Sequence, residues 1–112
     1  MNIVFANDAI EKLCNDSKEA TRRLGSEPAK RLRLRIQQLL LAGNLEVMRR
    51  LPGRCHEHQG RRPPELTVDL DGPYRLVFEA AHDPAPLKPD GGLDWSEVNA
   101  IRILRIEDPH GP

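Results

Sequence analysis

The spacing of apolar residues divides this chain into a helical first part and a strand-rich second part. After a short β-favouring start at 1–6, apolar residues recur at helical spacing through 8–24 and again through 26–42. Gly25 suits the end of the first helical segment, and Pro28 is tolerated in the first turn of the second. The pattern predicts an N-terminal strand followed by a hairpin of two helices that packs on one face of a sheet.

The second part of the chain has the pattern of strands separated by turns. The predicted strands are Arg54–Gln59, Glu65–Leu70, Tyr74–Ala80 and Asn99–Glu107, and a helical turn is predicted at Leu45–Arg49. The segment 82–95 is rich in Pro, Gly and Asp; it is predicted to be a long loop, with Trp95 as its anchor. In the last strand the apolar pattern changes phase between Ile103 and Leu104, which indicates a bulge or a strand buried on both faces. The order β-α-α-β-β-β-β over 1–112 predicts a single α+β domain with a small, mostly antiparallel sheet.

The pairing of the two middle strands can be predicted from their apolar faces. A two-residue turn at Asp71 and Gly72 would place Arg75 opposite Val68 and scatter apolar side chains over both faces. A three-residue loop that includes Pro73 gives one apolar face instead. Its pairs are Leu66 with Phe78, Val68 with Leu76, Leu70 with Tyr74, Thr67 with Val77, and Asp69 with Arg75. The sequence therefore predicts the second register.

Composition and cysteine usage narrow the class of protein. The 112 residues are 38% hydrophobic and 30% charged, which suits a modest core and argues against a disordered chain. The apolar run Leu39–Ala42 is far too short to cross a membrane, and the N-terminal residues lack the pattern of a secretion signal. Cys14 and Cys55 form no CxxC pair, so we expect free thiols in a reducing compartment. These features predict a cytoplasmic protein with no membrane contact.

Charge is balanced over the whole chain but not along it. The net charge is zero, which argues against nucleic-acid binding through bulk positive charge. Residues 22–62 contain eleven Lys or Arg against three acids, whereas residues 63–112 contain four against ten. This split is typical either of a basic face for RNA or DNA or of ordinary solvated helix surface, and both interpretations stay open.

Imidazole and guanidinium groups are concentrated around the predicted strand 54–59. They are Arg54, His56, His58, Arg61, Arg62 and, on a neighbouring strand, Arg75. Metal-free RNA cleavage needs a base for the 2′-OH proton, an acid for the leaving 5′ oxygen and cations for the charge on phosphorus. His56 and His110 are candidates for acid and base. Arg75 and Arg62 are candidates for the cations. The alternative is that the histidines are surface residues and that Arg75 forms an ordinary ion pair with Asp69.

His56 and His58 lie two residues apart, so both should point to the same face of a strand. Two imidazoles without a third ligand at suitable spacing do not make a zinc site. We therefore predict no metal and no cofactor, and His58 is given no role.

Three short motifs stand in a fixed order along the chain. They are LPGRCHEHQG at 51–60, GPYRLVFE at 72–79 and ILRIEDPH at 103–110. Together with the order of elements, they resemble the RelE/ParE superfamily of bacterial toxins, and within it the HigB-like, "killer protein" branch. The resemblance implies a ribosome-dependent endoribonuclease that cuts messenger RNA in the A site. It also implies a cognate antitoxin, typically a helix-turn-helix protein, with the toxin monomeric alone and hetero-oligomeric with its antitoxin.

The resemblance also implies individual site residues. His56 matches the histidine that such toxins carry four residues before a loop glycine, and Arg75 matches the arginine of an aromatic-Arg-apolar strand. Asp108 and His110 match the first and last members of a terminal Asp-Tyr-His triplet. The catalytic residues implied are His56, Arg75, Asp108 and His110, and the predicted RNA-binding residues around them are Arg54, Gln59, Arg61 and Arg62.

Three positions depart from the pattern of this branch. Gln59 stands where such toxins usually have a lysine, Asp69 where many have an arginine, and Pro109 where the triplet has its tyrosine. These changes remove cations and an aromatic ring from the expected RNA site. Two alternatives therefore stay open: a toxin without nuclease activity, similar to ParE-like gyrase inhibitors, and a module that only binds its antitoxin.

Overall fold

The computed structural model describes residues 1–58, 60 and 64–108, and its elements follow the predicted order with one helix divided. The strands are β1 (Asn2–Phe5), β2 (His56–His58), β3 (Glu65–Asp69), β4 (Arg75–Ala80) and β5 (Ala100–Glu107); the helices are α1 (Asp8–Asn15), α2 (Ser17–Leu24) and α3 (Ser26–Leu41). Short 3-10 turns lie at Leu45–Arg50 and Trp95–Glu97. The first of these turns confirms the helical turn predicted before β2.

The prediction of one continuous helix over 8–24 is wrong, because the chain is interrupted at Asp16. The backbone of Asp16 is extended, with φ −114° and ψ 104°. Its Oδ1 accepts the N–H groups of Lys18 and Glu19 at 3.0 and 3.2 Å, and so caps α2. Such a cap stabilises a helix by about 0.5–2 kcal/mol. Helical apolar spacing continues across the interruption because both helices bury side chains in the same core.

The described strands form a five-stranded sheet in the order β1-β5-β4-β3-β2. β1 is parallel to β5, and the other neighbours are antiparallel. The β3–β4 register is the predicted one: Leu66 pairs with Phe78, Thr67 with Val77, Val68 with Leu76, and Asp69 with Arg75. The α+β class and the mostly antiparallel sheet are therefore confirmed.

Strand boundaries agree with the prediction except at the start of β2. The predicted strand 54–59 begins only at His56, because Arg54 has φ 53° and cannot continue a strand. The predictions for β3, β4 and β5 differ from the observed bounds by one residue at most at each end.

The phase change in the last strand is a β-bulge. Val77 pairs with Arg105, whereas the next residue, Phe78, pairs with Ile103. Leu104 is therefore an extra residue that has no counterpart in the described pairing of β4 with β5. The bulge lets apolar residues on both sides of it face the core, which explains the interrupted alternation.

One face of the sheet is covered by the helices, and the core lies between them. Its largest fully buried side chains include Leu32, Leu39, Leu45, Met48, Leu66, Leu76, Phe78, Ile101 and Ile103. Within the described residues, no helix is long and apolar enough to cross a membrane. The face of the sheet turned away from the helices, called the outer face below, carries the polar residues of the candidate site.

Candidate functional site

A pocket on the outer face brings together several residues predicted from the sequence. It has a volume of about 240 Å³ and is lined by Arg54, His56, His58, Thr67, Arg75 and Glu107. Strand pairing explains the grouping, because His56 lies opposite Thr67 and Arg75 lies opposite Glu107. The pocket therefore spans four neighbouring strands and the turn that precedes β2.

The turn that precedes β2 depends on Gly53. Gly53 has φ 115° and Arg54 has φ 53°. A Cβ atom on Gly53 would lie 2.8 Å from both Arg35 Cζ and Val68 Cγ2, so a larger residue requires these side chains to shift. The carbonyl of Gly53 accepts the N–H of Asp69 at 2.7 Å. The turn is thus held against β3, and it places Arg54 at the pocket.

Both ring nitrogens of His56 have polar neighbours. Nδ1 lies 2.6 Å from the carbonyl oxygen of Arg54, and Nε2 lies 3.4 Å from Thr67 Oγ1. A carbonyl oxygen can only accept, so Nδ1 carries the proton in this contact. In the neutral ring Nε2 then has the lone pair. The backbone therefore selects the tautomer whose basic nitrogen lies on the Thr67 side of the pocket.

Asp69 forms ion pairs with both arginines of the pocket. Its Oδ1 lies 3.3 Å from Arg75 Nε, and its Oδ2 lies 3.7 Å from Arg54 Nε. The predicted Asp69–Arg75 pair is confirmed. Behind the sheet, Arg35 is only 2% exposed and donates from Nε to the Asp69 carbonyl at 2.8 Å. Burial lowers the pKa of Arg35, and the charge of Arg31 acts in the same direction, while Asp69 opposes both.

The remaining arginines of the outer face contact carboxylates as well. Arg105 Nη2 lies 2.8 Å from Glu65 Oε1 and 3.7 Å from Glu107 Oε1. The hydrogen bond to Glu65 raises the pKa of Arg105. Arg102 Nη1 lies 2.7 Å from Glu79 Oε2. Each of these arginines of the described outer face therefore has a carboxylate within 4 Å.

The side of β2 that points away from the pocket is held by the long loop. Trp95 is 3% exposed, and its Nε1–H donates to Glu57 Oε1 at 3.0 Å. The Arg49 guanidinium lies 3.7 Å from the centroid of the Trp95 ring. Because side chains alternate along a strand, Glu57 points away from His56 and His58. The prediction that Trp95 anchors its loop is confirmed.

Of the predicted site residues that the structure describes, Arg54, His56 and Arg75 line the pocket. Asp108 follows the end of β5 directly and does not line it. Four predictions lie outside the described residues: those for Gln59, Arg61, Arg62 and His110. The expected approach of His110 to His56 lies outside them too.

Three residues of the pocket have no role predicted from the sequence. His58 could have been identified from the sequence, because it lies two residues from His56 on a predicted strand and therefore points to the same face. Thr67 and Glu107 come to the pocket through strand pairing, which is visible only once the register is known. Glu107 depends on the bulge in particular: in a regular ladder, with Leu104 opposite Val77, Ile106 would lie opposite Arg75.

Among the described residues, no three His, Cys, Asp or Glu side chains are grouped so as to hold a metal ion. Comparison of the chain with protein-family models, curated proteins and solved structures gives no match.

Proposed function

We propose that this protein is the toxin of a type II toxin-antitoxin system, and that it cleaves messenger RNA on the ribosome without a metal. The observation that supports the proposal is the meeting of His56, Arg54 and Arg75 in one pocket. A general base beside cations is the arrangement that phosphodiester cleavage needs. The RelE/ParE-like motifs supply the substrate class, the cytoplasmic setting and the expected partner, a helix-turn-helix antitoxin.

In this proposal the neutral ring of His56 is the general base. Nε2 accepts the proton of the ribose 2′-OH, and the 2′ oxygen attacks phosphorus. Arg54 and Arg75 donate hydrogen bonds to the non-bridging oxygens, where negative charge develops. The bond to the 5′ oxygen breaks as that oxygen receives a proton, which leaves a 2′,3′-cyclic phosphate and a 5′-OH.

A second imidazole is assigned as the general acid. The resemblance implies His110, while the pocket itself contains His58. Residues two apart on a strand are separated by roughly 7 Å, so His56 and His58 can flank one phosphate. Single His58→Gln and His110→Gln variants separate the two assignments, because loss of the acid slows cleavage of an unactivated 5′ oxygen far more than cleavage of a good leaving group.

The test of the proposal is messenger-RNA cleavage by purified protein, with and without translating ribosomes. We expect cleavage only with ribosomes, and a decrease of roughly 10²-fold or more in His56→Ala, since general-base catalysis contributes about that much. His82→Ala is the matched control, because His82 accepts the N–H of Asn99 outside the pocket. Undiminished cleavage by His56→Ala contradicts the assignment of the base.

One observation favours a function without nuclease activity: both arginines of the pocket are already ion-paired with Asp69. Growth arrest that survives in His56→Ala, without RNA cleavage, supports a toxin similar to the gyrase inhibitors. Antitoxin binding without arrest or cleavage supports a module that serves only the toxin-antitoxin complex.

A further inference from the structure

The Asp69 carboxylate lies beside the two guanidinium groups that an anion in the pocket would use, as an ion-pair partner and not as a hydrogen-bond acceptor: among the described residues its buried Oδ1 has no hydrogen-bond partner. Its two oxygens reach Arg75 at 3.3 Å and Arg54 at 3.7 Å. The Arg54 side chain is 73% exposed and that of Arg75 36%, against 29% for Asp69. The arginines are therefore more accessible to a ligand than the carboxylate that holds them.

The main chain keeps Asp69 in this position from two sides. Its N–H donates to the carbonyl of Gly53 at 2.7 Å, and its own carbonyl accepts from the buried Arg35 at 2.8 Å. Gly53 and Arg35 are themselves closely packed, since even a Cβ atom on the glycine would meet the guanidinium at 2.8 Å. The carboxylate thus stays beside the arginines while their long, flexible side chains can turn toward a ligand.

Among the described residues, the charges at the pocket balance when the imidazoles are neutral. The cations are Arg54 and Arg75, and the acids are Asp69, which pairs with them, and Glu107, which lines the pocket. A phosphodiester that binds to these two arginines is therefore placed close to the carboxylate with which they already pair.

We infer that Asp69 competes with the phosphate of the substrate for Arg54 and Arg75. This inference rests on the proposed function: in the same site, the ion pairs of Asp69 limit the affinity for the phosphate. Carboxylate and phosphate are both anions that pair with guanidinium, so Asp69 and the phosphate compete for the same positive charges. Phosphate binding displaces the arginines from Asp69, and the pocket binds anions more weakly than two arginines alone would.

The experiment compares Asp69→Asn with the wild-type protein. The amide keeps the shape and the backbone bonds but loses the charge. The probes are inorganic phosphate and a short RNA whose 2′ oxygens are methylated, so that it binds without being cleaved. We expect the dissociation constants of both to fall roughly 3- to 10-fold, the effect of removing one screened charge beside the ligand.

The matched control is Asp71→Asn, which makes the same change in net charge in the turn between β3 and β4. It should leave both dissociation constants within roughly twofold of wild type. Thermal unfolding verifies that each variant is folded, and Asp69→Ser removes the same charge with a smaller side chain. Equal gains in Asp69→Asn and Asp71→Asn, or no gain in either Asp69 variant, overturn the inference.

A second comparison separates competition for the arginines from simple repulsion of the ligand. In an Arg75→Gln background, Asp69 no longer competes for that guanidinium, so the gain from Asp69→Asn should shrink. An undiminished gain contradicts the competition. Because these are binding measurements, they are independent of the nuclease assay: tighter binding without RNA cleavage would refute the proposed function and leave the role of Asp69 standing.

Discussion

At the scale of single residues, Gly53 shapes the pocket although it has no side chain. It supplies a positive φ, leaves space for the buried Arg35, and accepts the N–H of Asp69. Arg54, which follows it, enters the pocket and orients His56 through its carbonyl. A residue without a side chain therefore helps to set the positions of an imidazole and a guanidinium.

Gly53→Ala should destabilise the protein by about 2–4 kcal/mol, since it combines positive-φ strain with a close contact in a packed interior. Urea denaturation measures the change. Gly72→Ala is the control: it has φ 63°, but among the described residues beyond its chain neighbours no atom lies within 4 Å of where its Cβ would be. It should therefore lose only the strain energy, about 1–2 kcal/mol. Equal losses of stability in the two variants would show that the side chains of Arg35 and Val68 can move away from the added Cβ atom without an energetic penalty.

At the scale of elements, β2 needs support from outside the sheet. It has three residues, lies at the sheet edge and pairs with β3 alone among the described strands. Its pocket side carries His56 and His58, and its other side is held through Glu57 by Trp95. The long loop 82–95 therefore contacts the strand that carries both imidazoles of the pocket, although Trp95 does not line the pocket.

Trp95→Phe keeps an aromatic ring but removes the N–H that bonds Glu57. We expect a loss of about 1–3 kcal/mol in stability, because a partly buried carboxylate loses its donor. Amide hydrogen exchange should become faster in β2 than in β4. Ser96→Ala is the control, since Ser96 bonds Asp94 in the same turn without reaching β2. Exchange in β2 that is unchanged in Trp95→Phe would remove the proposed link.

At the scale of the whole molecule, burial of a thiol in the core makes stability depend on alkaline pH. Burial raises the pKa of the Cys14 thiol to about 12. Between pH 9 and about 12 the unfolded chain has lost this proton while the native protein keeps it. The contribution of Cys14 is thus fully present below pH 9 and is lost as pH rises through this range.

Cys14→Ala should therefore show a shallower loss of stability between pH 9 and 11 than wild type, by roughly 1 kcal/mol per pH unit. Urea denaturation at stepped pH measures both slopes. The variant has a lower stability at pH 7 because it leaves a small cavity, so the slopes and not the absolute values are compared. Parallel slopes would mean that Cys14 reaches solvent in the native protein.

Much of the architecture could be predicted because it follows from local pattern. Alternation of apolar residues suffices for the β3–β4 register, and the phase change at Leu104 indicates the bulge. The division of the first helix at Asp16 could not be predicted in this way, because apolar spacing is insensitive to one extended residue. The strand predicted at Arg54 is wrong for a similar reason, because an arginine residue gives no indication of a positive φ.

The sequence by itself determined the α+β class, the pairing of the middle strands and the candidacy of His56, Arg54 and Arg75, because these depend on residue type and short-range periodicity. Only the tertiary structure decided the contacts outside the predicted register. The pairing of Glu107 with Arg75, the approach of Thr67 to His56 and the ion pair of Asp69 with Arg54 join residues distant in sequence. Such contacts depend on register, on the bulge and on a buried guanidinium behind the sheet, which no local pattern encodes.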